Sequence, residues 1–249
     1  MALIALPALL VTGCVAPLRS PTSPTSPTAP QPQPQPPPKA PKPPKPQPPQ
    51  PPQSTTQPAP TAASVDALAA AIAAAAKRSD HEPDGKLREQ LAAQASRDAD
   101  ACLALEPQAA ACLYGRALAL GMQARAHPTQ ALSLLPTMLS SLSAAEAANP
   151  GYDEAGPARV KALVLIRAPG WPLGPGDAAA GLLAAQQAVA RRPLFPPNLL
   201  ALAEARAKSG DAQGARDSYG QARAAAQALP ASADRDDWLS QADAALRRD

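Results

Sequence analysis

The chain has 249 residues, with 23 basic and 20 acidic side chains, six aromatic residues, 34 prolines and three cysteines. Its formal charge of +3 is unevenly spread: Arg19, Lys39, Lys42 and Lys45 meet no acid before residue 63, which leaves 19 basic residues against 20 acids in the rest. A nucleic-acid binder concentrates positive charge on its folded part, beside aromatics or a recognition motif, and this balance excludes that class.

The first residues, "MALIALPALLVTGC", form an apolar run of twelve that closes on Val11-Thr12-Gly13-Cys14. The run is too short for a bilayer span, which takes about 20 residues, and has the length of a signal-peptide core. Its ending resembles the lipobox of bacterial lipoproteins. That resemblance implies a signal peptide over 1–13, removed to leave Cys14 as a lipidated N-terminus. No Lys or Arg precedes the run, which departs from the pattern. Val15 rather than Asp after the Cys favours the outer membrane. A buried N-terminal helix with an incidental cysteine is the alternative.

Residues 14–62 read as a linker. Twenty prolines fall between Pro17 and Pro60, and each removes a backbone donor and fixes φ, so neither helix nor sheet interior forms. A disordered, polyproline-biased tether is expected, reaching roughly 150 Å if fully extended. Its three lysines keep it soluble, or touch anionic lipid or polymer.

From residue 63 to 249 the patterning is helical, with no strand signal. Nine segments are expected: 64–78, 86–105, 108–124, 129–148, 157–167, 177–191, 197–209, 211–228 and 234–248. Pro107, Pro150, Pro193 and Pro230 follow helical runs as stop signals do. Short connections make successive helices antiparallel. Leu199, Leu202 and Ala203, then Ala215, Tyr219 and Ala222, resemble the large-large-small and Ala-aromatic-Ala pattern of the tetratricopeptide repeat. Leu105-Glu106-Pro107, "AANP" at 147–150 and "ARRP" at 190–193 resemble repeat ends, recurring near 43 residues rather than 34. The fold class expected is all-α, antiparallel hairpins stacked as degenerate tetratricopeptide-like repeats; a generic helical bundle is the alternative.

Cys102 and Cys112 lie equally far from Pro107, and positions equidistant from a hairpin turn face each other. In an oxidising compartment they pair as a disulfide; two buried thiols are the alternative. A metal site is not expected, because no ligand set accompanies them. Nor is an enzyme: His81 and His127 are far apart, "HEPD" at 81–84 is broken by proline, and no nucleophile elbow or phosphate-binding glycine pattern occurs. No cofactor is implied.

One unit remains, "GYDEAGPARVKALVLIRAPGWPLGPGD" at 151–177. Pro157 suits a first helical turn. Arg159 stands in that turn, where a cation is disfavoured by up to about 1 kcal/mol, so it needs a carboxylate such as Asp153 or Asp177, or else a ligand. Trp171 is expected to be partly buried, as a plug over a helix end or as the wall of a pocket. Arg159, Trp171, Tyr152 and Asp177 are thus the candidate ligand or partner site.

With "CLALEPQAAACLYGRALALG", this unit resembles the TatT family over roughly residues 85–248. TatT proteins are the T components of tetratricopeptide-associated TRAP transporters. The resemblance implies a periplasm-facing, lipid-anchored protein with a periplasmic substrate-binding partner, and a hydrophobic ligand in a channel between helices. The proline-rich tether is not part of that pattern. The competing expectation is a scaffold lipoprotein that organises envelope machinery. Neither reading fixes an oligomeric state.

Overall fold

A computed structural model describes residues 64–248, all within the unit Gln57–Asp249. The expected signal peptide, lipidated Cys14 and linker lie outside the described residues.

Among the described residues there are nine α-helices and no strand. They are α1 (Val65–His81), α2 (Gly85–Leu105), α3 (Ala110–Ala126), α4 (Ala131–Ala148), α5 (Tyr152–Arg167), α6 (Ala178–Arg191), α7 (Pro196–Lys208), α8 (Ala212–Gln227) and α9 (Ala233–Leu246), with a 3-10 turn at Pro128–Gln130 before α4. Eight of them begin and end within three residues of the sequence expectation. Their starts are chemically marked. Ser64, Asp84, Asp177, Asp211 and Ser232 each accept a hydrogen bond from an amide in the first turn, satisfying a donor that has no partner within the helix. Pro196 opens α7, where its missing N–H is no loss.

α5 is the exception. Its right-handed part opens at Gly156–Pro157, where the sequence places it, and is preceded by a left-handed turn in which Asp153, Glu154 and Ala155 have φ of 47°, 54° and 64°. Three successive non-glycine residues in the left-handed region are rare and strained.

The interior is built largely of alanine. Ala95, Ala117, Ala145, Ala158, Ala162, Ala185, Ala188, Ala203 and Ala226 are fully buried, while Ile72 and Leu142 are the largest apolar side chains with no exposure. Small side chains let helix axes approach closely and lose no rotamer entropy on burial. A disulfide joins Cys102 on α2 to Cys112 on α3, with their Cα atoms 5.2 Å apart. It packs with Leu68 of α1.

Each helix packs on its sequence neighbours. The odd-numbered helices also touch along their own row: α1 on α3, α5 on α7, α7 on α9, and α3 slightly on α5. The backbones of the even-numbered helices do not approach one another closely, although Arg191 of α6 pairs with Glu146 of α4 at 3.2 Å. α1 and α9 make no close backbone approach, but their side chains meet: Lys77 lies 2.5 Å from Asp234, and His81 lies 3.5 Å from Asp237. The odd row therefore bends round until its last helix reaches its first. No helix among the described residues is long and apolar enough to cross a membrane.

Candidate functional site

The strained start of α5 is held by a polar network that joins α3, α5, α6 and α7. Tyr114 of α3 donates its hydroxyl to Asp153 Oδ2 at 2.9 Å, and Arg159 Nη2 donates to the same oxygen at 2.9 Å. Arg159 Nη1 reaches back to the carbonyls of Asp153 and Glu154, each at 3.3 Å, and to Asn198 Oδ1 at 3.1 Å. The fully buried Asn198 donates to the carbonyls of Glu154, Ala188 and Arg192 at 3.0, 3.2 and 3.4 Å. The left-handed turn thus presents carbonyls to the guanidinium, which offsets the unfavourable place of a cation in a first helical turn. Gly156 completes the turn. A Cβ there would lie 2.5 Å from Asp153 Oδ2 and 2.7 Å from the Tyr114 oxygen, so any side chain breaks the Tyr114–Asp153 bond.

Burial pushes the Tyr114 phenol well above its usual range; Arg159 opposes the shift and Asp153 adds to it. Tyr152 packs edge-on against Tyr114, with ring centroids 5.7 Å apart, and its phenol is also raised by burial and by Asp153. On its other side the Arg159 guanidinium stacks over Phe195, 5.3 Å from the ring centroid, and Phe195 meets Trp238 of α9 edge-on.

Beyond Arg159 lies a cavity between the inner faces of the odd-numbered helices. One lobe, about 590 Å³, is bounded by Asp80 of α1, Arg159 and Arg167 of α5, Glu204 of α7, Tyr219 of α8 and Trp238 of α9. A second lobe, about 500 Å³, is lined mainly by apolar side chains including Leu118, Met122, Leu135, Met138 and Val164. Both lobes share Asp80, Leu163 and Arg167. Arg167 makes a two-pronged bond to Glu204, at 2.7 and 2.6 Å, and these bonds hold its guanidinium above the usual arginine range. Arg125 pairs with Asp80 at the rim of the apolar lobe.

The four candidate residues do not form one site. Arg159 finds its carboxylate in Asp153, and Tyr152 adjoins the network through Tyr114. Asp177 instead caps α6, accepting from the Ala180 amide at 2.9 Å, at the far end of α5 from Tyr152. Trp171 is 90% exposed, which overturns the expectation of burial. The loop after α5 closes on its own backbone, with Gly176 N–H donating to the Pro169 carbonyl and Leu173 and Gly174 N–H to the Gly170 carbonyl. That closure leaves the indole no inward path.

The candidate site expected from the sequence did not include Asn198, Tyr114, Phe195, Trp238 or Glu204. A signal existed for Asn198: it shares a helix face with the buried Leu202 and Ala205, and a polar residue on an apolar stripe needs partners. The others meet from separate helices. Among the described residues, no group of three or more His, Cys, Asp or Glu gathers at metal-binding distance. Compared with known proteins, the chain matches no protein-family model and no curated protein.

Proposed function

We propose that this chain is an envelope-anchored, non-catalytic binding protein. Cys14 is its lipid anchor, residues 15–62 its tether, and its helices are degenerate tetratricopeptide-like repeats that enclose a ligand site. The observation that carries the reading is the two-lobed cavity on the inner face of the odd-numbered row, polar in one lobe and apolar in the other. The two-row packing supports the repeat assignment, as do the buried Leu199, Leu202, Ala203, Ala215 and Ala222 at the positions that resemble the repeat pattern. Through the resemblance to TatT, the partner proposed is a TRAP-type periplasmic substrate-binding component, which exchanges a hydrophobic ligand with this cavity.

A second reading, the envelope scaffold, is favoured by one observation. Arg125, Arg159 and Arg167 on the cavity wall all have carboxylate partners within the chain, as structural arginines do. The two readings separate in a binding experiment. N-phenyl-1-naphthylamine, an uncharged apolar fluorophore, is titrated into a Trp171→Phe variant, in which Trp238 on the cavity wall is the remaining tryptophan. The ligand reading requires saturable binding with energy transfer from Trp238, lost in Leu163→Gln while far-UV circular dichroism is unchanged. Absence of saturable binding, or binding indifferent to Leu163, removes the ligand reading and leaves the scaffold.

A further inference from the structure

The 168–177 loop is stiff and points its apolar side chains outward. Its backbone bonds pin it at both ends, and the Asp177 N–H donates to the Leu165 carbonyl at 2.9 Å. It is also closely packed on itself: a Cβ on Gly174 would lie 2.7 Å from the Pro169 oxygen, and one on Gly176 would lie 2.1 Å from the Ala168 oxygen. From this base Trp171 projects 90% exposed and Leu173 73% exposed. Gly174 sits against Leu132, itself 45% exposed at the start of α4. Residues 168–176 carry no charge, and the exposed Lys208 stands beside the base of the loop. An apolar tip that is fixed rather than collapsed has something to enter.

We infer that this loop is a membrane-interface contact, inserting Trp171 and Leu173 at the headgroup level of a bilayer. Two side chains on a narrow loop offer far less than the roughly 800 Å² per partner of a stable protein interface, whereas a bilayer needs no matching surface. Tryptophan is the side chain most suited to that depth, with an apolar ring and an N–H that keeps polar partners. A neutral tip with a lysine behind it suits an apolar boundary beneath anionic headgroups. The inference rests on the reading of Cys14 as the membrane end of the chain, with residues 15–62 long enough in sequence to let the loop reach back to that membrane.

The test supplies the attachment chemically, so that it does not depend on lipidation in the cell. Cys14 is the one cysteine outside the Cys102–Cys112 bridge. It is coupled to maleimide-headgroup lipid in vesicles of phosphatidylcholine and phosphatidylglycerol, using the full chain with Trp238→Phe, so that Trp171 alone reports. The expected result is a blue shift of Trp171 emission on coupling, quenching by brominated acyl chains, and loss of both in Leu173→Asp. Unshifted emission in the coupled chain overturns the inference. A blue shift without bromine quenching also overturns it, because the tip is then covered by protein. Failure of Cys14 to be lipidated in cells would defeat the anchor reading and leave this result standing.

Discussion

Replacing Asn198 by Ala removes the amide that joins the strained start of α5 to the end of α6 and the start of α7. Its two amide protons serve three carbonyls, those of Glu154, Ala188 and Arg192, so one proton is shared, and its oxygen accepts from Arg159. None of the carbonyls is left without a donor. Glu154 keeps Arg159 Nη1 at 3.3 Å, Ala188 keeps the Arg192 amide at 3.0 Å, and Arg192 keeps the Phe195 amide at 3.3 Å. The loss is therefore the net value of the bonds, not the larger penalty of orphaned groups. At about 0.5–1.5 kcal/mol each, with the two longer ones counted low, the variant loses about 2–4 kcal/mol. With a urea slope of about 2 kcal/mol per M, the unfolding midpoint falls by about 1–2 M at unchanged slope. Urea titration followed by circular dichroism measures this. A double-mutant cycle with Arg159→Gln should show coupling of at least about 0.5 kcal/mol. A midpoint change worth less than about 0.5 kcal/mol, in the range of ordinary surface substitutions, would refute the claim that Asn198 holds the turn.

Removing the disulfide with Cys102→Ala and Cys112→Ala together should lower stability by about 2–3 kcal/mol, as expected for a short closed loop; thiol titration of the denatured, unreduced protein should find neither cysteine free. Burial holds the folded-state proton of Tyr114 more tightly than the unfolded phenol does, so its contribution is fully present below about pH 10 and is lost as pH rises toward the raised folded value. Urea midpoints at pH 9 and pH 11 should fall more in the parent than in Tyr114→Phe, and equal declines would assign the alkaline loss to other groups.

The helices were legible because their punctuation is local. Prolines stop them, and Ser or Asp caps five of them, so a reader needs only neighbouring residues. The start of α5 was not legible for the converse reason. Asp153 alone is of a type that visits left-handed backbone, and then as a single residue, whereas Glu154 and Ala155 are not; three in a row persist because Tyr114 and Asn198, 39 and 44 residues from the positions they bond, hold them in place. Pro157 was read as a helix start, and the right-handed helix does open there; what the sequence did not show is the left-handed turn at Asp153–Ala155 ahead of it. Trp171 illustrates a one-way rule: apolar side chains supply cores, but exposure of an individual one is decided by backbone closure. The cavity has no sequence signature, since its walls come from seven helices with the odd row bent round on itself.

That bend changes how the ends of the molecule behave. In an open stack the first and last helices each have one flanking neighbour, and they fray first, so amide exchange is fastest at the two ends. Here the C-terminal part of α1 and the N-terminal part of α9 steady each other through Lys77–Asp234 and His81–Asp237. These are contacts between exposed side chains, of the kind that contributes at most about 1 kcal/mol and weakens with salt. α1 is held chiefly by its buried Leu68 and Ile72, so ionic strength adjusts the protection of the facing ends of α1 and α9, while that of α3 to α7 is set by alanine packing that salt hardly touches. One chain thus holds an electrostatic seam and an apolar interior with different responses to the same solution.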